Sequence, residues 1–395
     1  FLHEKSVEHS GWVYGHELGR NHLDEAFGSQ VKTMSFENCR DEESVQKAFA
    51  EALAEGCSLI FTTSPSLTQA SVRFALEHPE IRVLNCSYNQ AKQAVRLYYG
   101  KMYEAKFMMG ALAASLTDDH RIGYFAGRRD PAAVANINAF ALGAQLTDPY
   151  SRVTLEWIPE GMRTEDVANA ILKGAERSAE EAAAADEEDA LHAVPQAMAA
   201  EDRKYGAGAA KRQAEAASPA AADGTRNGKR PESPRIHIFS DIDMIRLDDE
   251  ERKYGLYLVD DDGASHRLAA PIWNWGVFYE IVVRNVLNNT YEDMPGTRKG
   301  RAVNYWLGMS SGLVDVIFSD DLPTPSYRLI TQLRRAITET RIHPFAGRIL
   351  DQDGKEHGKE DGVLDNEDIM SMDWLVENID GSLSEALHGR IFCGE

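Results

Sequence analysis

No uninterrupted apolar run in this 395-residue sequence approaches the roughly 20 residues a membrane-crossing helix needs. Positive charge is in short supply: 42 Lys and Arg stand against 63 Asp and Glu, a formal charge of −21. That balance excludes nucleic acid or an anionic membrane surface as the main partner. It leaves a neutral solute in an enclosed cleft open. Cysteine is scarce, and Cys39, Cys57, Cys86 and Cys393 show no paired spacing, which argues against a disulfide framework or a zinc knuckle. Cys57 and Cys86 lie in apolar runs and are expected to be buried thiols. Neither a GxxxxGK[ST] nor a GxGxxG run follows any strand-like segment, so nucleotide hydrolysis and dinucleotide chemistry are not expected. His3, His9 and His16 lack a compact ligand spacing; no metal and no other cofactor is expected. The sequence also lacks an initiator methionine, a signal peptide and a lipid-attachment cysteine at its start. It opens on Phe1-Leu2-His3, which reads as the end of a strand whose beginning is missing, the expectation being a fragment or processed form.

What is present is an ordinary globular composition, 43% hydrophobic and 9% aromatic, sized for two to three domains. Apolar strands alternate with helical patterns. Helices are predicted over 12–27, 42–54, 68–77, 103–116, 132–146 and 164–172. Strands are predicted over 31–36, 58–63, 82–86, 95–99, 122–126, 153–157, 236–240 and 256–259. A helix over 277–287, strands over 302–307 and 313–318, and a helix over 326–338 follow. Such alternation implies parallel βαβ units, here in two series, hence two lobes around a cleft. Between Ala175 and Pro234 the composition shifts to Ala, Glu, Asp, Ser, Gly, Lys and Arg. Few large apolar groups there could offset a backbone ordering cost of about 1–2 kcal/mol per residue, so a low-complexity surface insertion is expected.

In α/β folds of this kind small ligands sit where strands end, and polar or aromatic residues recur there. Trp12 follows the loop from His3, Ser64 ends the third strand, Glu104 opens the Met- and Ala-rich helix, Asn138 lies on the next helix, and Asp241 ends the strand at Ile236. Most informative is Pro271-Ile272-Trp273-Asn274-Trp275-Gly276, where two indoles flank an amide before an apolar helix. Large apolar rings with one N–H suit a half-wet cleft gripping a flat ligand; they equally suit anchoring the helix to its sheet. Gly308-Met309-Ser310-Ser311-Gly312 fits the G-x-S-x-G pattern, but a nucleophile elbow needs a helix after the serine, and here a strand is predicted. Ser310 is therefore expected to offer a ligand its hydroxyl rather than to attack a substrate. Asp351-Gln352-Asp353-Gly354 misplaces the glycine of a calcium loop and reads as a hairpin turn, as does Asp260-Asp261-Asp262-Gly263.

Seven ordered motifs resemble the basic membrane protein family, whose members are substrate-binding lipoproteins of ABC transporters, several of them binding purine nucleosides. They are Gly11-Trp12-Val13-Tyr14-Gly15-His16, Tyr103-Glu104-Ala105-Lys106-Phe107, Asn138-Ala139-Phe140-Ala141-Leu142-Gly143-Ala144, Trp273-Asn274-Trp275-Gly276, His343-Pro344-Phe345-Ala346-Gly347, Asp351-Gln352-Asp353-Gly354 and Ser371-Met372-Asp373-Trp374. The resemblance implies an α/β type I periplasmic-binding-protein fold, with two Rossmann-like lobes, three crossovers and a hinge. The opening motif is also similar to longer proteins that carry this module as their C-terminal half. Where nucleoside binders of the family carry an aspartate and a lysine for the ribose, this chain has Asn274 and Ser310.

The resulting expectation is a non-enzymatic solute-binding protein of an ABC-type importer, gripping a nucleoside-like molecule, with a purine nucleoside and a transporter permease as its partners. The alternative is a ligand-sensing module of a larger cytoplasmic protein. A monomer is expected, at the extracytoplasmic face of the plasma membrane. The expected ligand residues are Trp12, Ser64, Glu104, Asn138, Asp241, Trp273, Asn274, Trp275 and Ser310. The expected lobes are 1–118 with about 264–320, and 119–263 with about 321–354; residues 355–395 are expected to pack across both.

Overall fold

The computed structural model describes residues 1–88, 94–158, 236–241, 254–259, 265–294 and 303–383. The expected insertion, the helix at 164–172 and the turn at Asp260 lie outside them. Helix α1 (Gly11–Phe27) starts where Ser10 accepts the Val13 N–H, an N-cap that satisfies one orphan donor. Helix α2 (Glu42–Ala54) starts on a capping box between Asp41 and Ser44. Strands β1 (Leu59–Thr62), β2 (Arg82–Cys86), β3 (Arg96–Gly100) and β9 (Asn304–Leu307) form an all-parallel sheet in the order β1-β2-β3-β9. Leu2 extends it, bridging Phe36 and Thr62. The strand predicted over 31–36 reduces to that single bridge at Phe36. Helix α3 (Thr68–Glu77) crosses from β1 to β2.

The second sheet has seven strands, ordered β10-β8-β7-β6-β4-β5-β13. Strands β4 (Arg121–Ala126), β5 (Arg152–Trp157), β6 (Ile236–Asp241) and β13 (Ile379–Asp380) are parallel, as alternation predicts. Strands β7 (Tyr254–Val259), β8 (Ser265–Trp273) and β10 (Val314–Phe318) run antiparallel to their neighbours. For the β7–β8 pair the reason is chain length. A parallel crossover needs a dozen or more residues, and too few separate Val259 from Ser265 to supply one.

Helix α4 (Met102–Leu116) is buried from Met102 to Ala114 and crosses α5 (Pro131–Thr147) at backbone distance. A Cβ on Gly110 would lie 1.8 Å from the Phe140 carbonyl oxygen, and one on Gly143 would lie 1.9 Å from that of Phe107. The two glycines thus let the helices touch reciprocally. Helix α6 (Trp275–Leu287) instead lies on α1, where Gly19 meets Trp275 and Tyr279. Helix α7 (Thr324–Thr338) packs on α4. Strands β11 (Ala346–Leu350) and β12 (Glu356–Val363) form the hairpin expected at Asp353-Gly354. Gly354 there has φ +74°, and Asp351 accepts the amides of Asp353 and Lys355.

The chain changes sheets three times: at Gly100–Lys101 between β3 and α4, at Asn274 between β8 and α6, and over 308–313 between β9 and β10. These positions differ from the expected boundaries, because α4 packs on the second sheet and β8 and β10 hydrogen-bond within it. Residues 372–382 bind α5 and β5 rather than bridging the lobes: Asn378 donates to the carbonyls of Ala141 and Ser151, and Trp157 donates to that of Ser382. Cys86 is fully buried, whereas Cys57 is only partly so, and Cys39 is the second buried thiol. Among the described residues no helix is long and apolar enough to cross a membrane.

Candidate functional site

The three changes of sheet converge. Lys101 N–H donates to the Leu307 carbonyl, and Asn274 N–H to the Leu313 carbonyl, each at 2.7 Å. Glu104, in the first turn of α4, accepts the Met309 N–H at 2.7 Å. Gly308 lies so close that a Cβ would fall 2.2 Å from the Glu104 carboxylate. Burial pushes the Glu104 carboxyl above its ordinary range, against the pull of the Met309 amide and Lys101. Glu104, expected as a ligand residue, is thus committed to tying two connecting segments together.

Above this junction stands an aromatic wall. Trp273 ends β8 and stacks on Trp275, with centroids 4.8 Å apart and planes 7° apart. Trp12, in the first turn of α1, meets both edge-on at 5.5 Å. Its indole N–H donates to the Thr63 carbonyl at 2.6 Å, which fixes the ring to the end of β1. Tyr99 meets Trp273 at 5.8 Å, and Tyr88 meets Tyr99 at 5.4 Å. Gly100 makes room: a Cβ there would lie 2.1 Å from Trp273 Cζ3. The two readings of the tryptophan pair divide between its members. Trp275 is 1% exposed and packs on His16 at 4.4 Å, so it is core. Trp273, Trp12 and Tyr88 stay half-buried at the strand ends.

Beneath the wall lies a polar chain that the sequence did not disclose. Buried His16 Nδ1 is 2.6 Å from the Tyr279 hydroxyl, which is 3.1 Å from that of Tyr98. Burial, reinforced by His3, holds the His16 imidazole well below its usual range, hence neutral. His3 bonds Thr63 Oγ1 at 2.9 Å and Glu17 at 2.8 Å. Burial pushes the Glu17 carboxyl up, but the hydrogen bonds from His3 and Arg20 prevail and bring it down to about 2. The chain bonds the residues behind Trp12 and Trp275 to one another.

The structure places Asn138 in the interior. It is fully buried, donates to the Trp374 carbonyl at 2.8 Å and accepts the Val376 N–H at 3.1 Å, so its amide staples residues 374–376 to α5. Ser64 is turned inward too, donating to Glu4 at 2.5 Å and accepting the Ser66 N–H. Asn274 and Ser310 are both exposed, one at the start of α6 and the other on the turn Met309–Ser311, on connecting segments joined by the Asn274–Leu313 bond. The strand predicted after Ser310 is present as β10. Asp241 ends β6 beside Ala126 and Tyr254.

After β4 the loop carries Arg128, Arg129 and Asp130, none of them singled out from the sequence although they follow a strand end. Arg128 pairs with Asp130 at 2.7 Å. Arg129 lies over the Trp157 ring at 4.7 Å.

Residues 1–168 match the family described as ABC transporter substrate-binding protein PnrA-like. A purine-binding protein of Brucella abortus is 24% identical over 95% of this chain and 90% of its own length. A putative ABC transporter glucose-binding protein of Haloferax volcanii is 24% identical over 38% of this chain and 37% of its own. The fold is shared with an ABC transporter solute-binding protein of Conexibacter woesei, at TM-score 0.53 and 9% identity, covering 87% of this chain and 96% of that one. It is shared equally with a transcriptional activator of the comK gene from Bacillus halodurans, at TM-score 0.53 and 14% identity, covering 87% and 98%. Over residues 1–168, and in its α/β type I periplasmic-binding-protein fold, the chain is similar to the PnrA-like ABC transporter substrate-binding proteins.

Proposed function

We propose that this chain captures a purine, as base or nucleoside, between its two lobes, releases it chemically unchanged, and delivers it to an ABC permease at the extracytoplasmic membrane face. The observation that carries this is the aromatic cluster of Trp12, Tyr88, Tyr99 and Trp273, where rings at strand ends of the first sheet meet the ring that ends β8 of the second. A flat heterocycle stacked on an aromatic side chain gains about 1–3 kcal/mol per contact. The name of the Brucella relative supports the same ligand class. Asn274 and Ser310 are uncharged. Charge-assisted hydrogen bonds are roughly twice as strong as neutral ones, so the base carries more of the affinity than any ribose. Closure would turn about the three connecting segments, the usual hinge mode of two-lobed receptors.

Titration calorimetry with adenine, hypoxanthine, adenosine, inosine and glucose tests this. Binding of bases or nucleosides with quenching of tryptophan fluorescence is expected. Binding of glucose alone, or of none of the five, would sink the proposal.

A further inference from the structure

We infer that Glu104 is a positioning residue that makes the three connecting segments yield together, and that this coupling sets the affinity for the ligand. The inference rests on the purine reading above and adds the residue that links capture to the hinge. Glu104 is 8% exposed, and an interior carboxylate is costly unless it is hydrogen-bonded. It accepts the Met309 N–H at 2.7 Å. Both its oxygens lie against Gly308, where a Cβ would fall within 2.6 Å of each. Met309 belongs to a turn closed on itself. Ser311 Oγ donates to the Gly308 carbonyl at 2.7 Å, and the Gly312 N–H to that of Met309 at 3.0 Å. A turn so braced moves as one piece. On one side of it the Leu313 carbonyl holds the Asn274 N–H, and on the other the Leu307 carbonyl holds the Lys101 N–H. The Glu104 N–H donates to the Lys101 carbonyl at 3.0 Å. The bonds thus run through all three connections, and the Glu104 side chain closes the circuit.

The same circuit reaches the aromatic cluster. Trp273 precedes Asn274, and its ring lies against Gly100, which precedes Lys101. A ligand stacked on Trp273 therefore loads two of the three segments directly, and Glu104 carries that load to the third. The apparent affinity of a hinged receptor is its intrinsic affinity reduced by the fraction of molecules in the competent state. Segments that yield independently spread the chain over more open arrangements and lower that fraction. Coupling between sites is commonly worth about 5- to 150-fold in affinity.

The test measures hypoxanthine and adenine affinity by calorimetry, and hydrogen exchange at the Lys101 and Asn274 amides, at one fixed pH. Wild type is compared with Glu104→Ala, Glu104→Gln and Gly308→Ala, each first shown to be folded by its melting transition. Glu104→Ala and Gly308→Ala are expected to weaken both bases by about 5-fold or more. They should also speed exchange at the two amides, neither of which bonds the Glu104 side chain. Glu104→Gln keeps an oxygen that can accept the Met309 N–H and should restore affinity and exchange to near wild type. If Glu104→Ala does not fold, Glu104→Asp replaces it, since one methylene less withdraws the acceptor. A folded Glu104→Ala with wild-type affinity or unchanged exchange would overturn the coupling. So would a Glu104→Gln as weak as Glu104→Ala. Binding of neither base by wild type would overturn the purine reading, and exchange in the ligand-free variants would still decide the coupling.

Discussion

The aromatic cluster and the charged loop after β4 are built from opposite materials. The aromatic region, where Trp273 at the end of β8 meets Trp12, Tyr99 and Trp275, consists of stacked and edge-on indoles and phenols, backed by a buried hydrogen-bonded chain through His16, Tyr279 and Tyr98. The second lobe presents Arg128, Arg129 and Asp130 on an exposed loop, held by ion pairing and a helix cap. Stacking is tolerant of which ring it holds, because every heterocycle has a face. Charged donors at a rim are directional and discriminate between edges. The contrast separates a region suited to grip from one suited to choice.

The hardest way to break this contrast is Gly100→Ala. Its Cβ would fall on the Trp273 ring, and overpacking of this kind costs about 1–3 kcal/mol and occasionally more. Loss of purine binding together with a clear drop in melting temperature is expected; a variant that binds normally would show that Trp273 is not part of the wall. Asn138→Ala comes next and should separate stability from binding. It leaves the buried amide of Val376 without its acceptor, a loss of about 1–3 kcal/mol, visible by chemical denaturation with ligand affinity unchanged. Weakened affinity in a fully folded Asn138→Ala would restore this residue to the site.

Trp273→Ala should weaken all planar ligands alike, by about 1–2 kcal/mol or roughly 5- to 30-fold, measured over a series of bases. Selective loss of one base would blur the division between grip and choice. Glu104→Gln is the mildest change, since an amide oxygen can still accept the Met309 N–H; a cost of about 1 kcal/mol or less is expected. Burial raises the Glu104 carboxyl in the folded state. Its ionised form is therefore disfavoured by folding: the associated stability is fully present below the unfolded pKa and is lost as pH rises through the raised folded value. Denaturation midpoints followed from pH 4 upward should fall less steeply in Glu104→Gln than in wild type; parallel curves would remove Glu104 as the cause.

Much of the fold was legible because local pattern and tertiary role agree. Ser10 and Asp41 begin helices where their side chains cap them, and the parallel strands follow from alternation with helices. Strand β8 was missed because Pro271 speaks against an inner strand. It is tolerated because β7 pairs with β8 no further than Ala269, leaving β10 as the partner at Pro271. Within the site, Trp12 and Trp273 stood out by their own chemistry. Asn138 misled because a lone amide on an apolar helix looks like a ligand group, while its true partners lie more than 230 residues away. The Arg128–Asp130 pair was passed over because nothing local marks a surface arginine two residues from its partner.

The Asn138 staple and the edge strand β13 carry a further consequence for biogenesis. Strand β5 gains its outer neighbour only when Ile379 pairs with Val153, and α5 gains its amide partners only from Trp374 and Val376. During translation the second lobe must wait for the synthesis of these late residues before its sheet edge is covered. The first lobe's sheet is complete once residues 304–307 have emerged. A nascent chain therefore passes through a state with one half settled and the other still pliant until residues 374–380 emerge.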